Sequence, residues 1–199
     1  MPVIEVHVTT DATEERPALR ADAQRNRSRI IATARQAVAR EGIGASLRAI
    51  ARDAGVGLGT LYRHFPTRDD LLQEVLQDSF DTLTLRAQAL AGEQTPLDAL
   101  ESWMDELIAS TATHQGLAAA MLDKTQDPGS SLHRSCHALR QEGNVLLASA
   151  QADQMVRPDI AGADLMALVS ALAWLCNQKM LGTEERRRML DLVMGGLRR

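Results

Sequence analysis

The sequence predicts an all-α protein, with a small N-terminal head of three helices joined to a larger helical body. Three observations carry this reading. Aromatic residues make up only 3% of a chain that is 45% hydrophobic, and the abundance of alanine and leucine favours helix over sheet. Apolar residues recur at helical spacing along the chain. The one convincing run of alternating β-branched residues, Val3 to Val8, lies in the N-terminal tail. At 199 residues the chain can bury a real core as one or two domains.

Residues 1–20 read as a flexible acidic tail, with Pro2, Pro17 and a Thr/Glu-rich middle. A first helix is expected from about Asp22 to Glu41, with Ile30, Ala34, Ala37 and Val38 on one face and Gly42 ending it. Next comes SLRAIARDAGVGLGTLYRHF, Ser46 to Phe65. Ser46 can cap a short helix whose apolar face is Leu47, Ile50, Ala51 and Ala54. Gly55 falls where that helix must stop, because glycine reaches the left-handed conformation that other residues resist. Val56 offers an apolar plug, and Gly57 to Gly59 allow a tight restart. Leu61 and Phe65 anchor a second helix inward and leave Thr60, Tyr62, Arg63 and His64 on or near its outer side. Two short helices locked in this way, the second offering its side chains outward, form a helix-turn-helix suited to the DNA major groove.

After Phe65 the string PTRDDLL gives a break, a cap and a new helix, expected from Thr67 to about Ala91. Five body helices come next, at Leu97 to Thr113, Leu117 to Lys124, Ser131 to Gln151, Gly162 to Leu181 and Thr183 to Arg198. Breaks at Gly116, Asp127-Pro128-Gly129, Arg157-Pro158-Asp159 and Gly182 separate them. The division is therefore a tail at 1–20, a head at 21–66 and a body at 67–199.

IARDAGVGLGTLYRHFPTRDDLL, Ile50 to Leu72, closely resembles the signature of the TetR family of transcriptional regulators. The match covers the AGV turn, the Gly-Thr-Leu-Tyr start of the recognition helix, the His-Phe pair and the capped next helix. Leu58 stands where the family usually has a polar residue, and Arg68 where it usually has lysine. The resemblance also implies nine helices, three of them in the head. It implies that Tyr62 and His64 contact DNA phosphates, although Tyr62 could instead be packed with only its hydroxyl exposed. Arg48 matches a position that can reach a base edge, or is a solvated charge. Gly59 would permit close approach to the groove, and Thr60 offers a hydroxyl and a methyl. Arg63 is a base or phosphate contact, and Arg68 lies at a helix N-terminus that also favours phosphate.

Charge agrees with this reading once it is divided along the chain. The net charge is −4, yet residues 16–75 hold eleven arginines against six acidic residues, a net of +5. The positive charge coincides with the motif, where phosphates would lie, and Arg25, Arg27 and Arg29 of the first helix are expected near the DNA backbone.

Trp103, Met104, Met121 and Trp174, with Met166 and Met180, are either ordinary core or the lining of a malleable pocket for a small apolar effector. His114, Asn177 and Gln178 could anchor its polar atoms. The penultimate helix is apolar on nearly every side, and the last has Met189, Leu190, Val193, Met194 and Leu197 in one stripe. That surplus predicts a homodimer through residues of about 162–198, packed as a four-helix bundle.

His133 and His137, four apart beside Cys136, could hold a metal, but no third ligand is signalled, so no metal is expected. No catalytic motif and no cofactor signature appears. The cysteines lack metal or disulfide spacing, the apolar stretch Leu165 to Gln178 is too short for a bilayer, and no signal peptide is evident. The expectation is a cytoplasmic, membrane-free repressor, released from a palindromic double-stranded DNA operator by a small apolar molecule.

Overall fold

A computed structural model of the chain describes residues 15–199. Nine α-helices occur among the described residues: α1 (Glu15–Glu41), α2 (Leu47–Asp53), α3 (Leu58–His64), α4 (Arg68–Glu93), α5 (Pro96–Ala120), α6 (Leu122–Gln126), α7 (Ser131–Ala152), α8 (Gly162–Asn177) and α9 (Thr183–Leu197). A 3-10 turn, Gly42–Gly44, links α1 to α2. No strand occurs among these residues, apart from one antiparallel bridge between Val156 and Arg198 that pins the C-terminus to the loop after α7. The expected tail lies outside the described residues up to residue 14, and from Glu15 onward the chain is already helical.

Several boundaries differ from expectation, α6 starting at Leu122 and not Leu117 among them, and two of the differences have clear physical reasons. Helix α5 runs through Gly116 to Ala120. A glycine inside a helix costs about 1 kcal/mol relative to alanine, and continuing the helix buries Leu117 and delivers Met121 into the head's core. Helix α8 ends at Asn177 rather than Leu181, because Lys179 turns left-handed at φ 56°. The Met180 N–H then bonds the Leu175 carbonyl (3.1 Å) and the Lys179 N–H bonds that of Cys176 (3.0 Å), which is a Schellman cap.

Helix α4 is the spine. Its capping box pairs Thr67 with Asp70, a reciprocal arrangement that satisfies two otherwise orphaned N–H groups. Along its length α4 packs on α1, α5 and α7, while α8 lies across α5. The first turns of α4 give Leu71, Leu72, Val75 and Leu76 to the head core, and Leu83, Ala87 and Leu90 go to the body core. Phe80 packs against both. The head core also takes Leu117 of α5, Met121 at the junction of α5 and α6, and Leu132 of α7, so it reaches well past Pro66.

The body core centres on Trp103 of α5, which is fully buried. Its indole N–H donates to the Leu83 carbonyl at 3.2 Å, which satisfies the one polar atom of the ring. Room for the ring comes from Gly143 of α7, where a Cβ would stand 2.5 Å from the Trp103 ring edge. No helix among the described residues is long and apolar enough to cross a membrane.

Candidate nucleic-acid interface

The geometry of the helix-turn-helix grows out of its sequence. Ser46 Oγ accepts a hydrogen bond from the Ala49 N–H at 3.4 Å and starts α2. Ile50, Ala51 and Ala54 are buried. Gly55 sits at φ 65°, and the Val56 N–H bonds the Ala51 carbonyl at 2.9 Å, again a Schellman cap. Leu61 and Phe65 of α3 are buried in the head core. Leu58 packs against that core too, so the departure from the family's polar residue adds a contact between α3 and the rest of the head.

With that face turned inward, α3 presents Gly59, Tyr62 and Arg63 to solvent, and Thr60 and His64 are half-buried at its margins. Tyr62 is 44% exposed, which leaves its ring and hydroxyl accessible from outside. Arg48 is exposed on α2. Arg48, Gly59, Thr60, Tyr62, Arg63 and His64 thus lie on the two motif helices with their outward side uncovered.

Arg68 is placed differently. Its Nη1 donates to the Ile43 carbonyl at 2.9 Å and to the Ala45 carbonyl at 2.8 Å, turning the guanidinium back onto the chain ahead of α2. Arg27 is likewise engaged within the head. It pairs with Glu74 of α4 at 2.6 Å and lies over the Phe65 ring, 5.5 Å from its centroid. The sequence groups Arg27 with the arginines facing DNA, since nothing local signals a partner on α4. Arg25 and Arg29 are exposed and bond their own helix, to Asp22 and Asn26 respectively.

The four candidate effector residues do not converge. Trp103 and Met104 lie in the body core, Met121 lies in the head core, and Trp174 is 48% exposed on α8. A polar cleft of about 500 Å³ lies instead between α5 and α9, with Asp98, Glu101, Asp105, Arg186 and Arg187 among its walls. His133 is occupied by a hydrogen bond from Nδ1 to the Thr125 carbonyl at 2.8 Å. His114 is buried, its Nδ1–H donating to the Ser110 carbonyl at 2.9 Å while Nε2 has no partner. Burial pushes the His114 imidazole below its ordinary pKa, the Ser110 bond opposes this, and the Arg35 cation adds to the lowering.

Comparison with known proteins agrees with this geometry. Residues 30–75 match the family described as bacterial regulatory proteins, tetR family. Residues 95–199 match the family described as transcriptional regulator SbtR-like, C-terminal domain. A helix-turn-helix-type transcriptional regulator of Staphylococcus aureus strain MRSA252 is 31% identical over 101 residues, 50% of this chain and 55% of that protein. The match thus spans about half the length of this curated relative. A TetR transcription regulatory protein from Mycobacterium vanbaalenii superposes with a TM-score of 0.71 at 33% identity, covering 91% of this chain and 99% of that one. A TetR transcriptional regulator from Streptomyces coelicolor gives the same TM-score at 31% identity, over 86% and 98%. With both its DNA-binding head and its helical body matched, the chain belongs to the TetR family, whose members are DNA-binding transcriptional regulators and not enzymes.

Proposed function

We propose that the protein is a homodimeric repressor that holds a near-palindromic operator through two α3 helices and lets go when a small apolar molecule enters the body. The observation that carries the dimer is the uncovered apolar surface of the last two helices. Trp174 on α8 and Leu192 on α9 are 48% and 64% exposed, and Met166, Leu168, Leu175 and Val193 are only partly covered. Two such pairs of helices, packed face to face, form a four-helix bundle that removes this surface from water. Exposed on α3 and α2, Tyr62, Arg63 and Arg48 supply donors for phosphates and a fork for a guanine edge.

Effector action rests on α4, which contributes buried residues to both cores. An apolar molecule lodged between α4, α5, α7 and α8 would displace that spine and re-space the two heads. It does so only if it binds the two spacings unequally. A coupling of about 1–3 kcal/mol gives a 5- to 150-fold loss of operator affinity.

The test joins oligomeric state to DNA binding. Leu192→Asp should convert the dimer to monomer in sedimentation and reduce full-site affinity to that of a half-site duplex. Unchanged mass together with unchanged full-site binding would place the interface elsewhere.

A further inference from the structure

We infer that Arg68 is a positioning residue for operator recognition, which closes the helix-turn-helix into a ring, rather than a phosphate contact. The motif is held from inside by Ile50, Ala51, Leu61 and Phe65. That packing fixes the inner sides of α2 and α3 and the exit at Phe65, but the entrance at Ser46 is exposed. Arg68, three residues past Phe65, reaches back to two carbonyls at the entrance.

Its Nη1 bonds the oxygens of Ile43 and Ala45 at 2.9 and 2.8 Å, and both hydrogens of that nitrogen are thereby committed. Ala45 is buried and immediately precedes the Ser46 cap, so the carbonyl Arg68 grips is rigidly joined to the start of α2. At the other end, Arg68 is the first residue of α4 and lies within the Thr67–Asp70 capping box, whose reciprocal bonds hold the backbone there. One guanidinium therefore spans the entrance and exit of the motif, between two backbone points that are each pinned. Hydrogen bonds from a charged donor to carbonyls are among the stronger ones available at a half-buried position. Removing this tie leaves the inner packing intact and frees α3 to tilt against α2. A tilt moves every side chain on the outer face together, so the loss falls on the fit to a particular base sequence.

The two roles give opposite signatures in DNA binding. The probes are a duplex that the wild-type protein enriches from random sequence and a shuffled duplex of the same length, each titrated over a range of salt. For Arg68→Met, the positioning role predicts that affinity for the enriched duplex falls about tenfold, the scale of losing hydrogen bonds to a charged group. Affinity for the shuffled duplex stays near wild type, and the slope of log affinity against log salt is unchanged. A phosphate contact predicts the reverse, with both duplexes weakened alike and the slope reduced by about one. That outcome would overturn the proposal. Arg68→Lys keeps the charge and one donor nitrogen, and should recover a measurable part of the sequence discrimination. If Arg68→Met does not fold, the lysine variant decides alone: reduced discrimination with an unchanged slope upholds the tie, and full wild-type discrimination refutes it. In the DNA-free protein, amide hydrogen exchange in α3 should also be faster for Arg68→Met, and unaltered exchange there would count against the tie.

Discussion

Helix α2 in the head and helix α8 in the body stop by the same backbone device, a residue at positive φ with a pair of backward hydrogen bonds. The residues that make the turn are unlike. In α2 it is Gly55 at 65°, and in α8 it is Lys179 at 56°. Helix α7 ends as α8 does, with Gln154 at 58°. The head therefore uses the residue for which this conformation carries no steric penalty, while the body accepts side chains at about 1–2 kcal/mol each. A turn that must present α3 at one angle is made without strain. Turns that merely connect body helices tolerate it, because the cores on either side over-determine the path.

Head and body should accordingly respond to substitution in a graded way. The largest effect belongs to the body core. Trp103→Ala should lower unfolding stability by about 3–5 kcal/mol in denaturant titration, and Gly143→Ala by about 1–3 kcal/mol, since its Cβ meets the same ring. A loss below about 1 kcal/mol for Trp103→Ala would mean that the ring is not the keystone of that core.

Next come the turns themselves. Gly55→Ala should cost about 1–2 kcal/mol and weaken DNA binding by more than the stability loss explains. Lys179→Gly should be neutral or gain up to about 1 kcal/mol, the relief of strain being partly offset by the freer unfolded chain. Equal losses from the two changes would erase the distinction between head and body.

The smallest effect lies where α5 of the body meets the head, at His114. Its folded pKa lies below the ordinary value of 6.5, chiefly through burial. The unfolded chain therefore takes up the proton first. The contribution of neutral His114 is complete above 6.5 and is lost as pH falls from there through the folded value. Arg35, paired with Asp78 between α1 and α4, faces the same imidazole and disfavours its protonation. Melting curves from about pH 7.5 down to about pH 5 should show a shallower decline for His114→Gln than for the wild type. Parallel declines would show that this histidine does not govern the acid limb.

The head is legible in the sequence because its signals are local. Spacing alone assigns Leu47, Ile50, Ala51, Ala54, Leu61 and Phe65 inward; Leu47 is half-buried against the head core and the others are buried. Gly55 marks a stop, and the chain turns there. The same rule misplaces the end of α5 in the body, because Gly116 is a glycine that stays helical. The neighbouring residues, not the glycine, decide between the two outcomes. Past Gly55 lie a plug and a restart, whereas past Gly116 lie Leu117 and Met121, which the head core can bury. Distant partnerships are invisible for a similar reason. Arg68 meets Ile43 and Ala45, and Arg27 meets Glu74, across separations that no periodicity encodes. Trp103 and Met104 illustrate a third limit, since a packed core and an apolar cavity recruit the same side chains. The outward set on α2 and α3 could be read as exposed, but which of its members meets a base depends on a partner that the chain does not describe.

The unlike surroundings of the two tryptophans give the molecule a built-in pair of optical probes. Trp103, shielded and hydrogen-bonded, will emit at short wavelength and resist collisional quenching by acrylamide at any protein concentration. Trp174, half in water on α8, will emit further to the red and be quenched freely in an isolated subunit. Association through α8 and α9 would shelter it, so the quenchable share of the fluorescence becomes a direct gauge of subunit exchange, with Trp103 as its internal standard and no label attached.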